Sequence, residues 1–455
     1  MLSPRLYRNS LLTIVGAGLI AAAVAFWWPP PALPEWRGVD FGLDGTSASV
    51  FAPDKLLVFE LDLKPGDLKR MQDHAADELT VPASLKVGAA DVGAVGLRYK
   101  GSTGTLTQVL AERRTESYMP KLSLKIVFDH KVDERRFCGM RRLNFHSMIY
   151  DESLMRDRLC YQAFREAGIA APRCSHAMIV INGKNVGLYA MVEQIDEAFV
   201  VDRFADRAGG VLYKEVWPLH RGAKKYEEEA RANPNNRTHE AMIRLANNLR
   251  EAEEAQLPGA LAKAADLDDL LRYMIVDQAL KNWDGVRGWT SAKEQGPNWN
   301  HNYYWYVDPS ERLTLIPWDL DSTLRHPARR DELPPWYDLG ELTGRGTSTG
   351  NGWFAWPAGE DRLIRAISIH ARGRYAKVAR ELLDGPLALE HMLQSIDTWR
   401  DQVRPYVAHD PFLGSLWAWD AGLESLRNDL HAIAGWMDQE VQNWNDVLPP
   451  RLRQN

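Results

Sequence analysis

The stretch "HNYYWYVDPSERLTLIPWDLDST", His301–Thr323, constrains the fold more than any other part of this sequence. "YYWYV" and "LTLIP" have the composition of buried strands, and "DPSER" between them is typical of a turn. The stretch therefore predicts an antiparallel hairpin centred near Ser310. Counting outward from Ser310 by equal steps pairs Asn302 with Trp318, which leaves Asn302 beside Asp319 at the open end.

Oxygen-bearing side chains converge at this open end. Asp321 is two residues beyond Asp319, so both carboxylates can lie on one face of the extended chain. With the amide oxygen of Asn302 they form a hard-oxygen set suited to Mg²⁺ or Mn²⁺. A slip of one residue in register would separate these groups. The alternative is that the two aspartates only cap a turn. An EF-hand is excluded, because no Gly stands at the required sixth position.

The first half of the folded chain has an α+β pattern. "KLLVFELDL" predicts a strand and "PGDLKRMQDH" a helix, and "AVGLRYKGSTGT" predicts a strand that ends in a turn at Gly101–Gly104. In "PKLSLKIVFD", a period of two puts Lys121 and Lys125 on one face. Asn182-Gly183 predicts the turn of a second hairpin. We therefore expect an antiparallel sheet here.

A helix interrupts this β-rich half. "LMRDRLCYQAFREAG" has helical periodicity, with Asp151 or Ser153 as its N-cap and Gly168 at its end. After Ala198 the patterns are almost entirely helical, and the His301–Thr323 hairpin is the one β insert that they contain. Strands first and helices afterwards predict an α+β protein with two lobes.

The N-terminus carries a membrane-targeting pattern. Leu11–Trp28 is a run of eighteen uncharged residues, preceded by Arg5 and Arg8. This length and charge bias predict a single transmembrane anchor, with residues 1–10 in the cytoplasm and the C-terminal part outside it. A cleavage site at Ala23–Ala25 is the alternative, which would give a secreted protein. Residues 29–54 are Pro-rich at their start and are predicted to be a linker.

Charge and cysteine content limit the function. A net charge of −6 argues against general nucleic-acid binding. The three cysteines, Cys138, Cys160 and Cys174, form neither a CxxC motif nor a zinc pattern. We predict core thiols with at most one disulfide.

The order of the polar motifs resembles that of a protein kinase. A Gly-bearing turn and lysines come first, and "ALKNWDGVRG" then supplies Asp284 ahead of Asn302 and Asp319. Protein kinases likewise place a catalytic Asp before a metal-binding Asn and a second metal-binding Asp. The predicted lobes are residues 55–200, rich in strands, and residues 201–455, helical with the catalytic hairpin.

On these residues the chain resembles the spore-coat protein H (CotH) kinase-like family. The similar segments are "LRYKGST", "PKLSLKI", "FHSMIYDESLMRDRLCYQAFREAGI", "VINGKNVGLYAMVEQID", "GGVLYKE", "NWD", "HNYYWY" and "IPWDLDSTL". The resemblance covers about residues 55–447. It implies an atypical kinase-like fold that binds ATP and a divalent metal and transfers phosphate to Ser or Thr of an envelope or coat protein.

The resemblance also implies roles for individual residues. Asp284 resembles the catalytic Asp, and Asn302 with Asp319 resembles the metal pair, beside which Asp321 is a further candidate. The nucleotide would be held by the residues of the turn, the strand and the segment that links the lobes: Gly101, Ser102, Lys121, Lys125 and Glu193.

One departure keeps other functions open. Kinase catalytic loops separate Asp and Asn by five residues, whereas Asp284 and Asn302 are eighteen apart. Either an insertion loops out, or Asn298 or Asn300 takes part, or the site has lost activity. The alternatives to a kinase are therefore a catalytically inactive assembly or adhesion protein of the envelope, and a transferase of another group from ATP.

Overall fold

The computed structural model describes residues 31–446, apart from 102–105, 107–108, 113–114, 116–118, 233–238, 292–298, 326–346, 349–353 and 357. The fold is mixed α+β, as the sequence predicts. Within the described ranges, no helix combines the length and the apolar character needed to cross a bilayer. The predicted anchor, Leu11–Trp28, lies outside those ranges.

Seven strands form a closed barrel. Neighbouring strands are antiparallel except β6 and β1, whose parallel pairing closes the barrel. The order around the barrel is β1-β2-β3-β4-β5-β7-β6. The strands are β1 (Leu57–Asp62), β2 (Val81–Val87), β3 (Ala90–Tyr99), β4 (Leu124–Val127), β5 (Arg142–His146), β6 (Cys174–Ile181) and β7 (Lys184–Glu193).

The period of two along these strands separates two apolar cores. On β1, Leu57 and Phe59 belong to the barrel interior, whereas Val58 belongs to a second core outside the barrel. On β6, Ile179 is likewise interior and Val180 exterior. Successive strand residues point to opposite faces, so one barrel wall serves both cores. The outer core extends into the helical part of the chain.

Two further sheets lie in the second half of the chain. The four-stranded sheet has the order β12-β11-β8-β9, and the three-stranded sheet has the order β10-β14-β13. Their strands are β8 (Val211–Lys214), β9 (Ala230–Ala232), β10 (Trp289–Ser291), β11 (Tyr303–Val307), β12 (Leu313–Pro317), β13 (Thr347–Ser348) and β14 (Phe354–Trp356). The prediction of a single β insert is wrong, because β8 pairs with β11 and extends the hairpin into a sheet.

The hairpin register confirms the count from Ser310. Tyr303 pairs with Pro317, and the Trp318 N–H donates to the Asn302 carbonyl at 3.0 Å. Asn302 is therefore the residue opposite Trp318, next to Asp319, as predicted.

The helices cover most of the remaining described chain. In order they are α1 (Ser47–Val50), α2 (Pro65–Asp73), α3 (Arg156–Glu166), α4 (Glu197–Phe204), α5 (Lys224–Glu229), α6 (Glu240–Glu251), α7 (Leu257–Ala262), α8 (Leu267–Ala279), α9 (Arg362–Ala371), α10 (Tyr375–Leu383), α11 (Leu389–Val407) and α12 (Leu416–Asp446). Helix α3 begins later than predicted, at Arg156, and its N-cap is Met155. Asp151 does not cap it directly, but its carboxylate accepts the Arg156 N–H at 2.8 Å.

The part of the predicted linker that the structure describes packs on the folded chain. We call residues 31–54 the N-terminal arm. The Val39 carbonyl accepts the Ala89 N–H at 2.8 Å. Arg37 forms an ion pair with Glu60 at 2.7 Å, and the carbonyl of Pro31 bonds to His409 Nε2 at 2.9 Å. The arm therefore contacts both the barrel and the end of α11.

All three cysteines are free thiols. Cys160 is fully buried, as predicted for a core thiol, whereas Cys138 and Cys174 are partly exposed.

Candidate functional site

Polar side chains meet where the barrel faces the four-stranded sheet. We call this group the polar cleft and define it by seven residues. On the barrel side, these residues come from the chain after β3, from the end of β5 and from α3. On the other side, they come from the loop after α8 and from the residues that flank both strands at the open end of the hairpin. The residues are Lys100, His146, Asp157, Asp284, Asn302, Asp319 and Asp321.

Asp284 and Asn302 are in direct contact. The Asn302 side-chain amide donates to the Asp284 carboxylate and to the Asp284 carbonyl, both at 3.0 Å. Seventeen residues separate them in the sequence, and the chain returns toward Asp284 because Thr290 and Trp299 exchange two backbone hydrogen bonds at 3.0 Å. Of the alternatives, a looped insertion is consistent with this contact between Asp284 and Asn302. Asn300 instead donates to the Val286 carbonyl at 2.9 Å, and Asn298 lies outside the described residues.

A buried ion pair supports the loop that carries Asp284. Asp277 is fully buried and accepts from Arg287 Nε at 2.7 Å and from the Asn282 amide at 2.8 Å. Burial raises the pKa of Asp277, and the Arg287 charge opposes that rise. Gly285 is required by close approach, because a Cβ there would lie 2.3 Å from Asn282 Nδ2.

Helix α3 holds the segment that carries Asp319. Asp157 and, one turn later, Cys160 and Tyr161 face it, at the i, i+3 and i+4 spacing of side chains on one helix surface. The Asp319 N–H donates to the Tyr161 hydroxyl at 3.0 Å, and Cys160 Sγ contacts Thr323 Oγ1 at 3.1 Å. The Leu320 backbone lies close enough to the Asp157 carboxylate to oppose the rise in its pKa that burial causes. These contacts maintain Asp319 at a φ of 52°, a conformation unusual for a residue other than Gly.

His146 connects the barrel to this segment. Its Nδ1 lies 3.1 Å from Asp157 Oδ2 and 3.9 Å from Asp319 Oδ1. Burial and the neighbouring Lys100 lower the pKa of His146 to about 3, and Asp319 opposes this shift, so the imidazole is neutral at pH 7. The buried Nε2 of His146 and Oδ1 of Asp157 have no hydrogen-bond partner within the described chain.

The carboxylates of the cleft differ in environment. Burial raises the pKa of both Asp157 and Asp321, and the charge of Asp319 adds to both shifts. The Asp319 side chain is 40% exposed, whereas that of Asp157 is 1% exposed. The Asp319 carboxylate is thus accessible to solvent, whereas the Asp157 carboxylate is not.

The structure does not bring both predicted lysines to the cleft. The Lys121 ammonium is buried and bonds to Asp410 at 2.9 Å and to the Leu188 carbonyl at 2.6 Å. The period-two count does not extend to Lys121, because β4 begins only at Leu124. Burial lowers the pKa of Lys125 well below its ordinary value. The nearby positive charge of Lys100 lowers it further.

Lys100 is a lysine of the cleft that was not among the residues predicted from the sequence. Its ammonium lies 5.3 Å from the Trp318 ring centre. Burial lowers the pKa of Lys100, and the Asp319 carboxylate opposes that shift. The signal was present in "LRYKGST", where Lys100 directly precedes Gly101. The Gly101 N–H donates to Glu78 at 3.3 Å, and Ser102 lies outside the described residues.

Glu193 lines a cavity of about 460 Å³ at the other end of β5. Its carboxylate is bound by Arg173 and by Arg203, the latter at 2.7 Å. It therefore forms part of the wall. Other lining residues include Met140, Arg142, Gln194, Asp196 and Phe199.

The cavity and the polar cleft lie along one outer face of the barrel. Arg142, Asn144 and His146 alternate along β5 with the interior residues Leu143 and Phe145. At ~3.3 Å per residue, Arg142 and His146 are about 13 Å apart. The Asn144 amide bonds to Gln194 Oε1 at 3.2 Å, which joins the two regions.

The donor chemistry of the cleft fits a hard divalent cation. Mg²⁺ is usually bound by one or two carboxylates together with substrate phosphates and water. The Asp319 carboxylate and the Asn302 amide oxygen are of the chemical type that binds such a cation, and Asp321 is two residues from Asp319. Across the described ranges, no group of three or more His, Cys, Asp or Glu side chains is arranged to hold a metal ion.

Comparison with known proteins identifies the family. The family model described as CotH kinase protein matches residues 97–441. The Inner spore coat protein H of Bacillus subtilis (strain 168) is 24% identical over 372 residues, covering 78% of this chain and 89% of that protein.

Among solved structures, a complex of HipA, HipB and operator DNA from a Shewanella oneidensis MR-1 toxin–antitoxin system matches 85% of this chain and 82% of that chain. The identity is 10% and the TM-score 0.33, which does not establish a shared fold. The family match includes the residues of the polar cleft from Lys100 to Asp321. The chain belongs to the CotH kinase protein family.

Proposed function

We propose that this chain is an atypical kinase that binds ATP and Mg²⁺ or Mn²⁺ in the polar cleft and transfers the γ-phosphate to a protein Ser or Thr. The observation that carries the proposal is the contact between Asn302 and Asp284, with Asp319 beside Asn302 at the hairpin end. Phosphoryl transfer needs positioning and charge stabilisation more than covalent chemistry by the protein. A fixed Asp–Asn pair next to an accessible carboxylate supplies such positioning.

Each cleft residue has a distinct role in this proposal. Asp284 accepts or orients the proton of the attacking hydroxyl, and the Asn302 amide holds its carboxylate in place. Asn302 and Asp319 hold the divalent cation, with Asp321 as a weaker contributor. The cation neutralises charge on the phosphates when it is bound. Lys100, rather than the buried and paired Lys121, contacts the phosphates, and Lys125 adds positive charge behind it.

The cavity at the far end of β5 is the proposed nucleoside end of the site. A nucleotide placed there extends along Asn144 toward Lys100 and Asp319. Ligand pockets typically combine apolar walls with a few fixed polar groups, and Met140, Phe199 and the Gln194 amide meet that description. Glu193 contributes by fixing Arg173 and Arg203 in the wall rather than by contacting the nucleotide.

The proposed location is the bacterial cell envelope or coat. The name of the spore-coat relative supports it, as does the Leu11–Trp28 sequence, which we propose to be a membrane anchor. The acceptor is then an envelope or coat protein. The proposed fold is the two-lobed kinase-like one, with the barrel and the hairpin-bearing half as the lobes.

Intact-mass analysis of the full chain, after incubation with ATP and Mg²⁺ or Mn²⁺, tests the reaction. A gain of one phosphate that is absent without the metal is expected. A gain of one AMP would replace the kinase proposal with nucleotidyl transfer. No gain in mass, together with no thermal stabilisation by ATP, would indicate an inactive assembly protein.

Two variants separate binding from chemistry. Asp319→Ala is expected to abolish metal-dependent nucleotide binding, and Asp321→Ala to weaken it less. Asp284→Asn is expected to bind ATP normally but to label about 10²- to 10⁴-fold more slowly, the usual contribution of a general base. Labelling by Asp284→Asn at the rate of the unmodified chain would contradict the role of Asp284.

A further inference from the structure

The turn between α11 and α12 presents aromatic side chains to solvent. We call His409–Trp417 the aromatic turn. Trp417 is 80% exposed, which is the largest value among the large apolar side chains of the described chain, and Phe412 is 37% exposed. Their neighbours Leu413 and Leu416 pack against the outer core. The turn therefore divides its apolar residues between the core and the surface.

This exposure is built into a rigid turn. The buried Asp410 carboxylate accepts from Lys121 at 2.9 Å and from the Leu188 and Phe412 N–H groups at 2.8 Å. The Asn185 amide donates to the His409 carbonyl at 2.7 Å. Buried polar contacts of this number fix a backbone conformation. The aromatic side chains are thus carried by a turn whose backbone is held in place by hydrogen bonds.

The N-terminal arm ends on the same turn. His409 Nε2 bonds to the Pro31 carbonyl at 2.9 Å. The uncharged run Leu11–Trp28 stops three residues before Pro31 in the sequence. Three residues span at most about 10 Å. The described chain therefore begins, at Pro31, directly beside the aromatic turn.

We propose that the aromatic turn rests in the interfacial layer of a lipid bilayer, with Trp417 and Phe412 among the headgroups. The inference rests on the proposed anchor at Leu11–Trp28. Trp is enriched at membrane interfaces, where an apolar ring with one polar group is best solvated. The charges of the turn are compatible with this placement, because Asp410 is buried in its ion pair and Asp420 is paired with Arg404 at 2.9 Å.

The proposal fixes how the folded part sits. A short connection and a second aromatic contact hold the end of α11 and the start of α12 against the bilayer. The catalytic part is then seated on the membrane surface and is not free to swing on a long tether. Protein acceptors within reach are those close to the same surface.

Depth-dependent quenching in liposomes tests the placement. The full chain is reconstituted with a single fluorescent label at Trp417→Cys, in a chain that also carries Cys138→Ser and Cys174→Ser. Cys160 is fully buried and stays. The vesicles contain phosphatidylcholine and phosphatidylglycerol with a nitroxide near the headgroup. Matched controls carry the label at Val132→Cys or Val201→Cys, which are 47% and 56% exposed.

The expected result is severalfold stronger quenching at position 417 than at position 132 or 201. Equal, weak quenching at all three positions in vesicle-bound protein would overturn the membrane contact while leaving the anchor intact. Recovery of the chain in the supernatant would overturn the anchor and this inference together. Oxidative cross-linking of two chains through position 417, without quenching, would assign the turn to a contact between copies.

Discussion

Two regions of this molecule place a lysine next to an aspartate, and they differ in how completely the pair is satisfied. Lys121 and Asp410 have side chains 5% and 2% exposed, and they bond directly at 2.9 Å with further backbone partners. Across the polar cleft, burial lowers the pKa of Lys100 and the Asp319 carboxylate opposes that shift, but the Asp319 side chain is 40% exposed. The charges of Lys121 and Asp410 are fully paired inside the protein. The Asp319 carboxylate can still bind a further group, such as a ligand from solvent.

The histidines repeat this contrast. His176 is buried with both nitrogens bonded, Nδ1 to Arg158 at 3.1 Å and Nε2 to the Leu154 carbonyl at 2.7 Å. His146 is also buried, but only its Nδ1 has a partner within the described chain. Native proteins satisfy most buried polar atoms. The two histidines therefore agree in residue type and burial, and the unsatisfied Nε2 distinguishes His146 as the one expected to lie beside a ligand.

The largest predicted effect comes from removing one partner of the buried Lys121–Asp410 ion pair. Asp410→Ala leaves the buried Lys121 ammonium uncompensated, so the free energy of unfolding is expected to fall by about 3–5 kcal/mol. Chemical denaturation measures it. Asp319→Asn is the matched control, because Asn tolerates the positive φ of this position, and its stability should stay within about 0.5 kcal/mol of the unmodified chain, as for most surface changes. A similar loss in both variants would remove the distinction between the regions.

The second prediction replaces the cleft lysine. Lys100→Met is expected to lower phosphate transfer by about 10²- to 10³-fold, the range for losing one electrostatic stabiliser. Stability should be unchanged or slightly higher, since burial already disfavours the charged form of Lys100. Autophosphorylation rates and thermal unfolding are measured together. Lys121→Met should show the opposite pattern, with a large loss of stability.

The third prediction concerns acid. Burial and Arg158 lower the pKa of His176 to about 3, below its ordinary value of 6.5. A group with a depressed pKa in the folded state contributes stability above pH 6.5 that is lost as the pH falls toward 3. Between pH 6.5 and 5 the loss from His176 is about 2 kcal/mol.

Denaturation at several pH values checks this prediction. His176→Gln should reduce the decline below pH 6.5 by that amount. At pH 8 the imidazole is neutral in both the folded and the unfolded chain. The difference in free energy of unfolding between the variant and the unmodified chain at this pH therefore measures only the effect of the substitution on packing and hydrogen bonding. An unchanged pH dependence in the variant would show that His176 does not titrate as inferred.

The smallest predicted effect tests the support from α3. Tyr161→Phe removes the hydroxyl that accepts the Asp319 N–H. A single neutral hydrogen bond contributes about 1 kcal/mol, so metal-dependent nucleotide affinity should weaken about fivefold. Calorimetry with ATP and Mg²⁺ measures it. Tyr213→Phe, which removes a hydroxyl bonded to His239 at 2.7 Å, is the control and should bind normally.

The sequence predicted local features well and tertiary ones less well. The hairpin register, the turn at Asn182-Gly183 and helix α2 follow from short-range patterns, and the structure confirms them. Short-range patterns could not predict that Lys100, and not Lys121, lies in the polar cleft. Both lysines flank strand segments, and the partner that distinguishes them, Asp410 or Asp319, lies hundreds of residues away in the chain.

Other differences have the same cause. The extension of the hairpin by β8 depends on a pairing between Lys214 and Tyr304 that no local pattern encodes. The support that Asp157 and Tyr161 give to the Asp319 segment was visible only as helical spacing. Only the tertiary packing of α3 against the hairpin end brings these side chains to the Asp319 segment.

The parallel pairing that closes the barrel has a consequence for how the chain folds. Strand β1 pairs with Ala177–Ile181 of β6, so the first strand must wait for a partner more than a hundred residues later in synthesis. Contacts of such long sequence separation slow folding, because loop-closure entropy is lost before the contacts form. The Pro31–His409 contact comes later still. Until β6 pairs with it, β1 exposes an unpaired edge, which makes the nascent chain prone to aggregation and favours chaperone binding before the barrel closes.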